Sequence, residues 1–235
     1  MSHGKHFTLY TNELKVAVVL EAFGLTYETV TLDFSKQEQK SPQYTRYNPN
    51  GRIPTLIDHK NGDFVVWESN AILVYLADNY DTDHKFSVVE PDEKITQLQW
   101  LFFQASVKGK HPYYGQGGWF RRSHPEKVPS ALERYQKEAL RILSMLESVL
   151  SKQEWLVRNK CTIADLSFVA WNIAGFALLI HDYKEFNLEK DFPAVHRWHT
   201  AMLTMEPVRE AHAKYHAIIA RAADGEYKCP SRRLA

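Results

Sequence analysis

A proline at the mouth of a short apolar hairpin limits what this chain can fold into more than any other feature. From Asn48 the sequence runs Asn-Pro-Asn-Gly-Arg-Ile-Pro-Thr-Leu-Ile-Asp, then a polar turn at Asn61-Gly62-Asp63, then Phe-Val-Val-Trp-Glu-Ser-Asn. Two apolar runs, Thr55 to Ile57 and Phe64 to Trp67, flank that turn, which is a hairpin signal. Pro54 removes a ladder donor, so it belongs at the start of a strand or in a special turn. If the Ile53-Pro54 bond is cis, the kink turns the Ile53 N–H and C=O outward, free to bind something extended. After Glu68-Ser69 comes Ala71-Ile72-Leu73-Val74-Tyr75-Leu76, which reads as a helix with Ser69 and Asn70 at its start. Free N–H groups and the positive dipole end make such a place receptive to a carboxylate.

The segment before the hairpin supplies the rest of a sheet. Phe7 to Tyr10 is a short strand candidate. Leu14, Ala17, Val18, Ala22 and Leu25 fall on one helical face, and Gly24 is a C-terminal cap candidate. Thr11 or Asn12 is the expected N-cap. Tyr27 to Leu32 is a second strand, so the opening is a βαβ unit with parallel strands. Asp33 to Asn50 is polar and irregular, with a short helix expected from Ser41-Pro42. The order predicts a four-stranded mixed sheet with helices on its faces. Residues 81 to 91 read as a linker. Beyond them strand signals vanish, and helices are expected over 92–108, 125–150, 163–180, 193–203 and 207–223. The switch marks a domain boundary near residue 85. Thr162 with Asp165 forms a capping box variant, with Cys161 and Leu166 in the staple positions. Cys161 therefore reads as a small buried apolar group.

Charge and composition exclude several classes. Lys plus Arg (29) nearly cancels Asp plus Glu (28), which argues against a nucleic-acid binder. The first residues lack an apolar h-region, so no secretory signal is expected. No run approaches the roughly 20 apolar residues of a membrane helix. Two cysteines, Cys161 and Cys229, fit a reducing, cytoplasmic compartment. No CxxC, zinc spacing or P-loop is visible, so no metal is expected.

On Asn48 to Asp58 with Pro54, on Trp67-Glu68-Ser69 and on Thr162 to Asp165, the chain resembles the cytosolic glutathione transferases over about Phe7 to Ala223. Asn12 before Lys15-Val16-Ala17, the run Gln99 to Gln104, Gly115-Gln116, and Leu132 to Tyr135 resemble the fungal nitrogen-regulator-like and bacterial Nu-class branches. The resemblance implies an α/β thioredoxin-like N-terminal domain (1–84), an all-α C-terminal domain (91–225) and a tail (226–235). It also implies a homodimer. Thioredoxin-like enzymes that do their own redox work keep a cysteine at the end of the first strand. Tyr10-Thr11-Asn12-Glu13 holds none, so the thiol must come from the cosubstrate, glutathione. By resemblance, the Ile53 backbone beside Pro54 pairs with its cysteinyl unit. Glu68 and Ser69 hold its γ-glutamyl amine and carboxylate, and Gln39, Lys40 and Arg52 lie near its glycyl end.

The chemical task is then to stabilise a thiolate. A free thiol has a pKa of ~8.5, and nearby donors or a helix N-terminus lower it. Each unit is worth ~1.4 kcal/mol. Asn12 is the first candidate donor to the sulfur, Thr11 the rival and Tyr10 the third, because Tyr10 alternates toward the core. The second substrate is a small electrophile, hydroperoxide or disulfide. It is expected between the domains, against Phe103, His111, Tyr113, Tyr114 and Trp119, where 113–119 reads as a loop-like pocket lip. Trp100 and Phe102 read as helix core, and Arg134 as surface. The alternative to an enzyme is a non-catalytic binding or regulatory module, as in the yeast nitrogen regulator. That protein carries an Asn/Gln-rich extension not seen before Phe7 here.

Overall fold

The computed structural model describes residues 4–108 and 113–223. By contact the chain divides into two compact units. One holds the residues up to Asp83 and the last helix from Glu206 onward; the other is His84–Met205. The division expected from the sequence placed that last helix in the helical domain. In the structure it lies on the first helix of the N-terminal unit, where Lys214 pairs with Glu21 at 2.6 Å.

In the first unit four short strands form one mixed sheet in the order β2-β1-β3-β4. β1 (Phe7–Tyr10) runs parallel to β2 (Tyr27–Val30), and β3 (Thr55–Asp58) runs antiparallel to both β1 and β4 (Phe64–Trp67). β1 is central and wholly buried. Because side chains alternate along a strand, Phe7 and Leu9 point to one face, and Thr8 and Tyr10 to the other. Tyr10 joins Val30, Leu32, Tyr44 and Ile57 in a core cluster, as its alternation predicts.

Helix α1 (Lys15–Ala22) is buried at every position but one. It starts later than expected, with Leu14 at the cap position and no side-chain cap. Thr11 and Asn12 cannot serve there, because both side chains are engaged elsewhere. Gly24 follows the helix at φ +64°, a left-handed position that favours glycine. α2 (Pro42–Thr45) starts behind Ser41, and α3 (Ser69–Tyr80) follows β4 directly.

The second unit is helical: α4 (Pro91–Lys108), α5 (Tyr113–Arg122), α6 (Pro129–Leu150), α7 (Ile163–Leu166), α8 (Val169–Gly175), α9 (Leu188–Asp191) and α10 (Pro193–Thr204). α11 (Glu206–Ala223), the last helix among the described residues, belongs to the first unit. Three expectations are corrected. The stretch read as a loop-like lip is helix α5, and its Gly117 is used for close packing. A Cβ on Gly117 would lie 2.5 Å from a Leu179 methyl. The single helix expected over 163–180 is broken at Ser167-Phe168 and ends in a π-helical turn, Phe176–Ile180. Its 18 residues have the length and mean hydropathy, 1.8, of a membrane span, yet 61% of them are buried inside the fold. Phe102, read as core, is 73% exposed. The capping box is present: Asp165 accepts from the Leu156 and Thr162 N–H groups and from Trp198 Nε1. Cys161 is buried, and burial raises its thiol pKa.

Candidate functional site

One rung of the sheet gathers most of the predicted residues. Tyr10 stands opposite Thr55, and Thr55 opposite Trp67. The residues one step beyond this rung are therefore Thr11, Pro54 and Glu68. On the outer side Tyr10 faces Val30 of β2. Thr11-Asn12, Ile53-Pro54 and Glu68-Ser69 consequently share one edge of the sheet, although 57 positions separate the first from the last in the chain.

Asn12 closes that edge. Its Nδ2 donates to the Leu32 carbonyl at 3.0 Å, and its Oδ1 accepts from the Leu32 N–H at 3.2 Å. The carboxamide thus mimics a further peptide of β1 and extends the pairing with the chain beyond β2. A carboxamide has two N–H donors, and the Leu32 carbonyl takes one of them. The Thr11 hydroxyl donates to the Glu13 carbonyl at 3.1 Å and accepts from the Glu13 N–H at 3.0 Å. Its single proton is engaged, and the residue is only 4% exposed.

The Ile53-Pro54 peptide is cis. Among the described residues, neither the N–H nor the C=O of Ile53 has a backbone partner. The loop before it is pinned by two side chains that the sequence reading left without a role. The Tyr44 hydroxyl donates to the Arg52 carbonyl at 2.5 Å, and Asn48 Nδ2 donates to the same carbonyl at 2.7 Å. Both side chains also reach the Thr55 hydroxyl. Gly51 stands at φ +61°, and a Cβ there would lie 2.8 Å from the Gln39 carbonyl. This close approach brings Gln39 and Lys40 beside the 48–52 loop, and Lys40 Nζ donates to the Asn50 carbonyl at 3.0 Å. The Gln39 Oε1 is buried without a hydrogen-bond partner among the described residues.

At the other flank Glu68 has φ +70° and ψ 114°. A non-glycine residue held in a sparsely populated region costs about 1–3 kcal/mol and points to function at that place. The strain turns the chain from β4 into α3, so that Ser69 opens the helix. Lys15 Nζ donates to the Ser69 hydroxyl at 3.1 Å, and Lys15 is only 3% exposed. Burial pulls the Lys15 ammonium pKa down to about 7, against the opposing fields of Glu13 and Glu68. The sequence held a signal for this lysine that periodicity alone passes over. Val16 to Leu20 is an unbroken apolar run, so the helix has no polar face on which Lys15 could lie.

The aromatic residues expected around the second substrate all belong to the helical unit. Phe103 meets Trp100 edge to face, and Trp119, 44% exposed, meets Phe120 and His124. Tyr113 lies beside Tyr135. Tyr114 is a core side chain rather than a lip: it is 4% exposed, and its ring lies against Gly175. His111 lies outside the described residues, as does the tail 226–235. Among the described residues no group of three or more His, Cys, Asp or Glu side chains is placed to hold a metal ion.

Comparison with known proteins agrees with this arrangement. The glutathione S-transferase N-terminal domain matches residues 2–78, and the C-terminal domain matches residues 105–206. This chain belongs to the glutathione S-transferase family. The transferase is 44% identical to glutathione S-transferase 2 of Schizosaccharomyces pombe, over 87% of this chain and 94% of that protein. It is 35% identical to protein URE2 of Debaryomyces hansenii, over 85% of this chain and 74% of that one. Among solved structures it is similar to the glutathione transferase URE2P5 of Phanerochaete chrysosporium, at 53% identity and a TM-score of 0.89, over 94% of this chain and all of that one. The same protein has been cocrystallised with 1-(S-glutathionyl)-2,4-dinitrobenzene; that structure has a TM-score of 0.85. These relatives place the transferase with the fungal Ure2-like branch.

Proposed function

We propose that this transferase binds glutathione along the shared sheet edge and uses its thiolate on small electrophiles, hydroperoxides or disulfides. The observation that carries the reading is the Tyr10–Thr55–Trp67 rung, which brings three separate segments to one edge. The Ile53 backbone pairs with the cysteinyl unit. Ser69, at the start of α3, takes the γ-glutamyl carboxylate, and Glu68 takes the amine. Gln39, Lys40 and Arg52 face the glycyl end. Gln39 offers a buried oxygen that a ligand N–H would satisfy. Asn12 is favoured over Thr11 as donor to the sulfur, because its carboxamide has a second N–H while the Thr11 proton is engaged. Donation to the sulfur stabilises the thiolate over the thiol and so lowers its pKa. Phe103, Tyr113 and Trp119 are the contacts to test for the second substrate. Family membership supports a homodimer, and two cysteines support a cytoplasmic location.

The deciding experiment assays the protein with glutathione and, in turn, 1-chloro-2,4-dinitrobenzene, cumene hydroperoxide and hydroxyethyl disulfide. The expected outcome is turnover with at least the aryl halide, the thiolate displacing chloride from the ring. The conjugate bound to URE2P5 is the product of that reaction. A second reading, a binding or regulatory module, is favoured by the likeness to protein URE2. Glutathione binding with no turnover of any of the three substrates would select it.

A further inference from the structure

We propose that Lys15 is the buried cation of the γ-glutamyl site, acting through Ser69 to orient its hydroxyl toward an incoming carboxylate. The inference rests on the assignment of Ser69 to that carboxylate and names the group behind it. An ammonium can only donate. With Lys15 Nζ at 3.1 Å, the Ser69 oxygen is an acceptor on its inner side. When Lys15 is charged, the hydroxyl proton must then turn away from it, and the open end of α3 is where a ligand can meet it. A ligand carboxylate at that end meets the Ser69 O–H, the first free N–H groups of the helix and a positive charge just beneath them. Each element favours the same anion, and the lysine is placed where solvent screens it little.

The surroundings explain why a cation is tolerated there. Glu13 from the β1–α1 segment and Glu68 from the β4–α3 junction both favour its charge, while burial opposes it. α11 also lies on α1, but its Lys214 is paired with Glu21 and its Tyr215 feels Glu13. The balance leaves Lys15 only partly charged near neutral pH. A carboxylate arriving at Ser69 tips it back to the charged form, so binding takes up a proton. Lys15 is a positioning residue, and its contribution appears as a linkage between ligand and proton.

The test uses S-methylglutathione, which has the γ-glutamyl group but no titrating thiol. Calorimetry at pH 7.5 in buffers of differing ionisation enthalpy should show net proton uptake by the wild-type protein, and affinity should fall between pH 6 and 8. Lys15→Met should bind about tenfold more weakly at pH 6.5, with no proton uptake and a flat pH profile. Lys15→Arg, which keeps a charge that does not titrate, should also lose the uptake while retaining more of the affinity than Lys15→Met. Far-ultraviolet circular dichroism checks that both variants fold. If either variant does not, the wild-type proton uptake alone decides. Wild-type binding without proton uptake would overturn the proposal, as would a folded Lys15→Met with wild-type affinity and pH profile. Failure of the wild type to bind S-methylglutathione would instead overturn the assignment of the site.

Discussion

The Asn12 carboxamide serves the fold and, in the proposed mechanism, the sulfur. Two of its hydrogen-bonding positions are occupied by the Leu32 peptide. Asn12→Ala should therefore have two separable effects. Leu32 is 6% exposed, so losing its partners should cost about 1–3 kcal/mol of stability, measured by urea denaturation. The bound glutathione thiol should also titrate at higher pH, followed by thiolate absorbance. An unchanged titration in a destabilised protein would confine Asn12 to the fold and return attention to Thr11. The contrast shows what a sequence can reveal at this scale. That residue 12 lies just beyond the end of β1 was legible from its place in the sequence. That its side chain imitates a strand was not, because nothing local says which peptide lies 20 positions further on. Lys15 was hidden for the opposite reason: helical periodicity sorts residues onto faces, and a helix buried all round has no face to assign.

At the scale of elements, packing glycines decide more than the sequence pattern shows. A Cβ on Gly175 would lie 2.1 Å from the Tyr114 ring, whereas one on Gly117 meets a movable Leu179 methyl at 2.5 Å. Gly175→Ala should accordingly destabilise by about 1–3 kcal/mol, and by more than Gly117→Ala, in chemical denaturation followed by fluorescence. Equal small effects would show that Tyr114 repacks without strain. Gly117 and its neighbouring glycines made 113–119 look like a loop. Gly115, Gly117 and Gly118 lower helix propensity, and tertiary packing overrides them. The hairpin and the capping box were legible because their signals are local: alternation, turn residues, a threonine three positions before an acid. The break in 163–180 was not, since neither Ser167 nor Phe168 is a glycine or proline that would announce it.

For the molecule as a whole, Lys15 ties stability to pH. Its pKa falls from an ordinary 10.5 in the unfolded chain to about 7 in the fold. Between those values the unfolded chain holds the extra proton, so this group makes stability rise with pH across that window; its cost is complete below about pH 7. Lys15→Met should therefore stabilise the ligand-free protein most at pH 6 to 7, with the gain shrinking toward pH 10, as read from denaturation midpoints. A gain independent of pH would mean that methionine merely packs better. A substitution that strengthens the empty fold while weakening the ligand is the trade expected of a site residue.

The loop before Pro54 has a last consequence. Tyr44 and Asn48 fix the Arg52 carbonyl and the Thr55 hydroxyl, and Gly51 lets the Gln39 carbonyl lie against the loop. In the proposed binding mode, a loop held by these bonds leaves the entropy lost at recognition mainly to the small flexible guest and hardly to its host.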